Sequence, residues 1–257
     1  MTFDQRAAGY ARHTWHVRYA ERLVELAAPV PGSRVLDAAT GTGLAAIAAA
    51  RAVGPQGRVT GVDISAAMLD QARQAVSAPN VELVKADASR LRQFPDGSFD
   101  LVLCSAGLLY LPVHTALREW RRLLVPGGRV GFSTMHDGFP VAARVFRKLA
   151  AGFGLDLADP AAPLGTPDRC EQALRNAGLE PAEQVVETVE FSAADLEHAW
   201  EAHAHGPHQA ALALLTPAQL AEFQQSYTGA LTDLRATDPD TLRTARVIYA
   251  FGRKPAA

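Results

Sequence analysis

Short apolar runs alternate with helical patterns through the first 135 residues of the chain. After the N-cap candidate Ser65, for example, Met68, Leu69 and Ala72 recur at helical spacing and share one face. The apolar runs are RVLDAA near 34, RVTGVD near 58, VELVKAD near 81, FDLVLC near 99 and RVGFST near 129. Strands that alternate with helices predict an α/β fold built on a Rossmann-like, doubly wound, mostly parallel sheet.

The pattern changes beyond residue 135. A helix with Thr166 as N-cap precedes a sixth predicted strand near 183–191, and ARVIYAFGRK predicts a seventh strand at about 244–253. Between these strands, at about 192–240, lies a helical stretch whose longest helix begins with the capping box Thr216 and Gln219. We therefore predict a seven-stranded sheet with a helical insertion that covers a ligand crevice as a lid. The segment VPGG is predicted to turn the chain between a helix and the fifth strand.

Charge and cysteine content exclude several classes of protein. The 25 basic and 27 acidic residues give a net charge of -2 without a Lys/Arg run, so we expect no nucleic-acid partner. The N-terminus lacks the apolar core of a signal peptide, and no stretch approaches the roughly 18 apolar residues of a membrane span. We expect a cytoplasmic protein in which Cys104 and Cys170 are reduced, packed thiols.

A glycine turn follows the first predicted strand. GTGLAA, residues 41–46, matches the pattern G-x-G-x-x-A, and Asp63 follows Gly43 by 20 residues at the end of the second strand. Glycines allow the backbone to approach a ligand, and the acid can accept hydrogen bonds from ribose hydroxyls. The pattern predicts a nucleoside-bearing ligand, with a turn that merely joins strand to helix as the alternative.

Asp37 distinguishes between two nucleoside cofactors. A dinucleotide places a pyrophosphate over this turn, and a nearby carboxylate would repel it. S-adenosylmethionine carries no phosphate, and both its sulfonium and its ammonium are cationic. Asp37 therefore favours the methyl donor over a nicotinamide cofactor.

Four segments in order resemble the motifs of one family. VLDAATGTG, GVDIS, VKADASRLRQFPDGSFDLVLC and WRRLLVPGGRV, within roughly residues 10–135, are similar to motifs of the class I S-adenosylmethionine-dependent methyltransferases. The resemblance is to the methyltransferase type 11 branch, which includes ubiquinone/menaquinone C-methyltransferases and bacterial natural-product methyltransferases. Ala39 stands where the family often has glycine, as is common in the quinone branch. CSAGLLYLP replaces the Asn/Asp-Pro-Pro-Tyr element of relatives that methylate DNA or glutamine, and so argues against those substrates.

The resemblance implies a set of residues that bind S-adenosylmethionine. Gly41 and Gly43 would lie against its methionine part, Asp37 near its ammonium and Ser105 beside the sulfonium; Asp63 would accept from both ribose hydroxyls. The full set is Asp37, Ala38, Gly41, Gly43, Asp63, Ile64, Met68, Asp87, Ala88 and Ser105.

The residues assigned to adenine also have ordinary structural interpretations. Ile64 and Met68 would contact the adenine faces, while Asp87 and the Ala88 amide would bind its edge. Met68 equally suits a helix core. Asp87 and Ser105 equally suit ordinary loops.

The sequence gives less information about the residues that would bind the methyl acceptor. His136, directly after the fifth strand, is the candidate general base, with His13 and His16 as alternatives and a structural histidine as the competing interpretation of each. His198, His203, His205 and His208 form a cluster whose spacing does not favour metal binding, so we expect no metal and assign them to the lid. Tyr10, Trp15, Tyr19, Phe139 and Trp200, together with Phe146, are candidates to line an apolar acceptor pocket, with ordinary packing as the competing interpretation of each.

These observations predict an enzyme that transfers a methyl group to a small, hydrophobic or aromatic metabolite in bacterial secondary metabolism. The predicted organisation is a single domain, 1–257, with an N-terminal helical segment (1–30), a cofactor-binding core (31–135) and a substrate-side half (136–257). The alternatives are a cofactor-binding relative that catalyses rearrangement or cyclisation, a nicotinamide oxidoreductase and a noncatalytic binding module. The acceptor atom (oxygen, nitrogen or carbon) and homodimerisation remain open.

Overall fold

The sheet has seven strands in the order β3-β2-β1-β4-β5-β7-β6. The computed structural model describes residues 15–205 and 208–256. Neighbouring strands from β1 to β5 pair in parallel, whereas β7 runs antiparallel to both β5 and β6. The predicted seven-stranded, mostly parallel sheet is confirmed. The strands are β1 (Arg34–Ala38), β2 (Arg58–Asp63), β3 (Val81–Lys85), β4 (Phe99–Cys104), β5 (Leu124–Met135), β6 (Glu180–Glu190) and β7 (Thr244–Arg253).

Helices connect the strands and fill the stretch between β6 and β7. Short 3-10 turns occur at Leu108–Tyr110 and Ala162–Leu164. The α-helices are α1 (Trp15–Ala27), α2 (Leu44–Val53), α3 (Ala66–Ala75), α4 (Val113–Leu123), α5 (Val141–Ala151), α6 (Pro167–Asn176), α7 (Ala193–Glu197), α8 (Ala199–Ala204), α9 (Gln209–Leu212), α10 (Pro217–Thr237) and α11 (Pro239–Arg243).

Side-chain caps fix the helix starts that the sequence indicates. The Ser65 hydroxyl accepts from the Met68 amide at 3.1 Å, and Thr166 caps α6 in the same way. Thr216 and Gln219 form the predicted reciprocal capping box at the start of α10. Each cap satisfies amide groups that the first helical turn leaves without intrahelical partners.

The structure differs from the sequence interpretation at the starts of two strands. VPGG does not form a separate turn before β5, because β5 begins at Leu124 and a bulge takes up the extra residues between two pairs, Phe99 with Leu124 and Leu101 with Arg129. A side chain at Gly128 would come within 2.9 Å of the Val125 carbonyl oxygen, so the bulge needs glycine there. β6 begins at residue 180, not 183, because the left-handed Gly178 ends α6 immediately before it.

Hydrophobic side chains cover both faces of the sheet. One face packs against α4 and α6, where Trp120 is fully buried and its indole N–H donates to the Ala88 carbonyl at 2.8 Å. The other face packs against α1 and α2, with Tyr19 and Leu23 of α1 in its core. Cys104 and Cys170 are buried free thiols, as expected.

A third apolar cluster joins α5 to the helices between β6 and β7. Phe146 of α5 lies at its centre, with ring centroids 4.8 Å from Phe223 and 5.3 Å from Tyr227 of α10. In α10, Phe223 and Tyr227 are buried, and Leu220, Leu231 and Leu234 pack beside them on the same side of the helix. Within the described ranges, no helix is long and apolar enough to cross a membrane.

Candidate functional site

The glycine turn lies at the carboxyl end of β1, where a ligand approaches a doubly wound sheet. Ala39, Gly41 and Gly43 all have positive φ angles, of 56°, 55° and 86°. Gly41 lines a cavity, and a side chain added there would meet no atom within 4 Å. Gly43 does not line that cavity, because it faces α3, where an added side chain would come within 3.3 Å of Ala72. The structure therefore gives the two predicted glycines different surroundings.

Asp37 lies beneath the turn rather than in the cavity wall. Its side chain is 1% exposed and accepts a 2.5 Å hydrogen bond from the Thr40 hydroxyl. Burial raises the pKa of Asp37 from 3.8 to about 7, although hydrogen bonds from Thr40 and the Ala46 amide oppose the rise. The adjacent Ala38 is also fully buried and lies outside the cavity wall. Asp37 thus acts on the shape of the turn from below.

Asp63 presents a carboxylate to the cavity from the end of β2. Its two oxygens accept from the Gly41 amide at 2.8 Å and the Ser65 amide at 2.9 Å. These bonds join the acid to the glycine turn and fix the orientation of its carboxylate. A carboxylate oxygen can accept more than one hydrogen bond, and this carboxylate lies in the cavity wall.

The ends of β2 to β4 supply the other predicted cofactor residues. Ile64, which is 60% exposed, and the buried Met68 both line the cavity. Asp87 and Ala88 line it after β3, and Asp87 Oδ1 accepts from both the amide and the hydroxyl of Ser89. Ser105 lines it directly after β4. Side chains from separate strands therefore meet at one edge of the sheet.

One continuous cavity of about 670 Å³ extends from this edge toward the helices between β6 and β7. Trp15, Tyr19 and Phe139 lie in its wall as predicted. Aromatic residues that the sequence interpretation missed, Tyr110 and Phe191, lie there too. Their signal was weak, because an isolated aromatic residue in a loop or at a strand end is most often a packing residue.

Three residues predicted to contact the acceptor lie outside the cavity wall. Trp200 does not line the cavity; its ring packs 5.3 Å from Phe223 and 5.5 Å from Phe146 in the third apolar cluster. Phe146 is fully buried in the same cluster. His136 is half-buried outside the cavity wall, with Nδ1 3.2 Å from the Asp137 carbonyl oxygen. Tyr10 and His13 lie outside the described residues, whereas His16 lines the cavity.

The histidine cluster divides between cavity and solvent. His203 and His208 line the cavity, while His198 and His205 are exposed. In the described part of the chain, no three His, Cys, Asp or Glu side chains are grouped so as to hold a metal ion. Arg147 and Asp159, an ion pair that the sequence gave no reason to single out, lie in the same wall.

Comparison with known proteins identifies the family. Residues 35–128, which hold the glycine turn, nearly all of β1 and all of β2 to β4, match a family described as "Methyltransferase domain". This segment belongs to the class I S-adenosylmethionine-dependent methyltransferase family. Its cofactor is S-adenosylmethionine, and the prediction of a methyl donor over a nicotinamide cofactor is confirmed.

Two curated relatives of the methyltransferase show the range of the similarity. Aklanonic acid methyltransferase DauC of a Streptomyces species is 36% identical over 140 residues, which cover 52% of this chain and 63% of the relative. A demethylmenaquinone methyltransferase of Listeria monocytogenes is 38% identical over 136 residues, covering 51% of this chain and 57% of the relative. The chain thus spans less than two thirds of the length of either relative.

A solved structure shows the same fold beyond the matched half. The 4+2 cyclase SpnF superposes with a TM-score of 0.59 at 23% identity, covering 94% of this chain and 81% of that one. At this identity the likeness shows the fold alone.

Proposed function

We propose that this methyltransferase transfers the methyl group of S-adenosylmethionine to a small, hydrophobic or aromatic metabolite in bacterial secondary metabolism. The observation that carries the proposal is the continuity of the cavity, which joins Gly41 and Asp63 at the sheet edge to an aromatic wall built by Trp15, Phe139 and Phe191. A relative named for aklanonic acid and another named for demethylmenaquinone support a small-molecule acceptor.

The residues at the sheet edge fit S-adenosylmethionine. The oriented Asp63 carboxylate would bind the ribose diol, and Gly41 would let the backbone lie against the methionine part. Ile64, whose side chain is exposed into the cavity, and Met68 would contact the adenine faces. Ser105 would lie at the passage toward the acceptor.

Asp87 and Ala88 would read the edge of the adenine ring. The Ser89 amide and hydroxyl hold one Asp87 oxygen, which fixes the carboxylate's direction. Trp120 holds the Ala88 carbonyl from behind, so this loop is positioned before a ligand arrives. Asp37 and Gly43 would act indirectly, by shaping the turn from which Gly41 contacts the cofactor.

For this reaction the protein has to align the reactants and exclude water. When bound, the cofactor supplies an electrophilic methyl carbon on a sulfonium. The apolar wall would hold the acceptor in line with that carbon and keep water away from it. His136 lies outside the cavity wall, so the geometry gives it no direct contact with the reacting atoms.

A transfer assay tests this proposal. Methyl-labelled S-adenosylmethionine is incubated with the protein and with extracts or candidate quinones, and labelled products are identified by mass spectrometry. We expect label in a small apolar product together with stoichiometric S-adenosylhomocysteine. Product formation that leaves the labelled cofactor unconsumed would replace methyl transfer with rearrangement or cyclisation.

Asp63→Asn tests the cofactor side of the site. Losing a charge-assisted acceptor for two hydroxyls should weaken S-adenosylmethionine binding by about 1.5–3 kcal/mol, or roughly tenfold or more by calorimetry. Asp70→Asn, on the exposed side of α3, is the matched control and should bind normally. Unchanged affinity in the Asp63 variant would contradict the ribose role.

A further inference from the structure

The acceptor end of the cavity contains a charged pair among largely apolar side chains, and Asp195, His203 and His208 line the same region. Arg147 of α5 pairs with Asp159 from the loop that follows, and both residues line the cavity. Only 15% of the Arg147 side chain and 22% of the Asp159 side chain are exposed. Phe139, Leu196, Ala199 and Leu242 contribute apolar surface to the same wall.

Arg147 has hydrogen-bonding capacity that the fold does not use. A guanidinium carries five N–H donors in a planar fork. Within the described residues, Arg147 makes a hydrogen bond to the protein through Nη2 alone, to Asp159 Oδ2. Asp159 Oδ1 instead accepts from the Ala161 amide at 2.9 Å, which holds the carboxylate in place. The pair therefore leaves most of the guanidinium donors available on a side chain that borders the cavity.

Stability alone is a weak reason to keep this pair. Removing two charges from water costs energy that their attraction only partly offsets, and well-packed apolar residues often serve as well. Planar, bidentate recognition of an anionic oxygen is the task for which arginine is best suited. A carboxylate partner that holds the guanidinium in position prepares it for such a ligand.

His208 adds a neutral polar group beside the pair. Its ring stacks on Phe146, with centroids 6.2 Å apart and planes inclined by 19°, and it lines the cavity. Burial and the positive charge of Arg147 lower the pKa of His208, while Asp159 raises it. A neutral imidazole can donate one hydrogen bond and accept another without adding charge.

We propose that Arg147 and His208 bind an acidic oxygen of the methyl acceptor, so that the acceptor is a planar apolar molecule bearing an ionised enol, phenol or carboxylate. This inference rests on the proposed function, because it assigns the acceptor class for the same cavity. The apolar wall would contact the ring system of the acceptor. Arg147 and His208 would determine which edge of that ring system faces the cofactor.

Binding of three ring-matched probes tests the inference. Lawsone carries an enolic hydroxyl on a naphthoquinone and is ionised at neutral pH, naphthoate carries a carboxylate, and menadione is a naphthoquinone of similar size without an acidic group. Each is titrated calorimetrically into protein saturated with S-adenosylhomocysteine. We expect at least one anionic probe to bind roughly tenfold or more tightly than menadione. Which of the two does so distinguishes an enol-type acceptor from a carboxylate.

Substitutions assign the preference to Arg147. Arg147→Met should bring the affinity of the anionic probe to within about twofold of the menadione affinity, which itself should not change. Arg147→Lys should retain part of the preference for the anionic probe because the charge remains. His208→Asn should weaken the anionic probe only. Arg144→Met, an exposed position one turn earlier on α5, is the control and should keep the full preference.

The outcomes separate this inference from the proposed function. If S-adenosylhomocysteine does not bind, the cofactor assignment fails first. If it binds and both anions bind no better than menadione to the wild-type protein, the acceptor inference is overturned while the cofactor site stands. A preference that survives in Arg147→Met would equally overturn it, and the wild-type comparison needs no variant to fold.

Discussion

Replacing Asp37 with asparagine should make the stability of the protein less dependent on pH. Asparagine keeps an oxygen that can accept from Thr40 and removes the carboxylate that burial keeps out of water. In the folded protein the pKa of Asp37 is raised from 3.8 to about 7. The folded state therefore holds a proton that the unfolded state releases between these pH values, and the stability of the wild-type protein falls as pH rises through that window.

The magnitude follows from the size of the pKa change. At about 1.4 kcal/mol per pH unit, ionising Asp37 in the folded protein costs about 4 kcal/mol. Relative to wild type, Asp37→Asn should gain about 1.5 kcal/mol at pH 5 and about 4 kcal/mol at pH 8, with little further change above. Below pH 4 the two proteins should be alike, because a protonated Asp37 and an asparagine are both neutral.

Denaturant unfolding without cofactor, from pH 4 to pH 8, measures this difference. Asp70→Asn on the exposed side of α3 is the control, since its side chain is 64% exposed. The reasoning is refuted if the unfolding free energies of Asp37→Asn and wild type differ by the same amount at pH 5 and pH 8. That result would mean that Asp37 is ionised throughout and that burial does not govern its charge.

Three further substitutions test packing around the site. Gly43→Ala should destabilise by about 1–3 kcal/mol, because a non-glycine residue at φ 86° is strained and its methyl would crowd Ala72; urea unfolding measures the loss, and a change under 0.5 kcal/mol would contradict this account. Phe146→Ala should lower the free energy of unfolding by about 3–5 kcal/mol, because it leaves a cavity in the third apolar cluster. An unchanged midpoint of thermal unfolding would show that the cluster does not unfold together with the rest of the protein. Tyr227→Phe in the same cluster should be neutral or stabilising, because in the described structure the buried hydroxyl has no hydrogen-bond partner; a loss above 1 kcal/mol would disprove that.

Local sequence patterns predicted the sheet and its ligand edge because those features repeat at short range. A strand followed by a glycine turn, with an acid at the end of the next strand, fixes where Gly41 and Asp63 lie once the strands are adjacent and parallel. The helix caps at Ser65 and Thr216 likewise depend on residues within four positions of each other in the sequence. The VPGG bulge was not predictable in this way, because it depends on how Gly128 meets the neighbouring strand β4.

The acceptor wall depends on contacts between distant segments and was predicted only in part. Arg147 and Asp159 look like ordinary surface charges in the sequence, and the packing of α5 beneath the helices between β6 and β7 brings them to the cavity. Trp200 has the aromatic character of a pocket residue, yet the fold uses it against Phe223. The sequence interpretation placed Asp37 near the ammonium of the cofactor, whereas the structure buries its side chain beneath the turn and outside the cavity wall.

The antiparallel pairing of β6 with β7 has a consequence for how this enzyme can be altered. Glu190 pairs with Thr244, and the Phe191 amide donates to the Arg243 carbonyl at 2.7 Å, so the chain leaves and re-enters the sheet at adjacent points. Residues 192–243 therefore form a closed excursion from a hairpin whose two ends stay fixed. We expect that a segment of different sequence can be grafted between the same two strands if it also covers the apolar face of α5. Chimeras made at this junction offer a route to exchange acceptor preference while the half proposed to hold S-adenosylmethionine keeps its sequence.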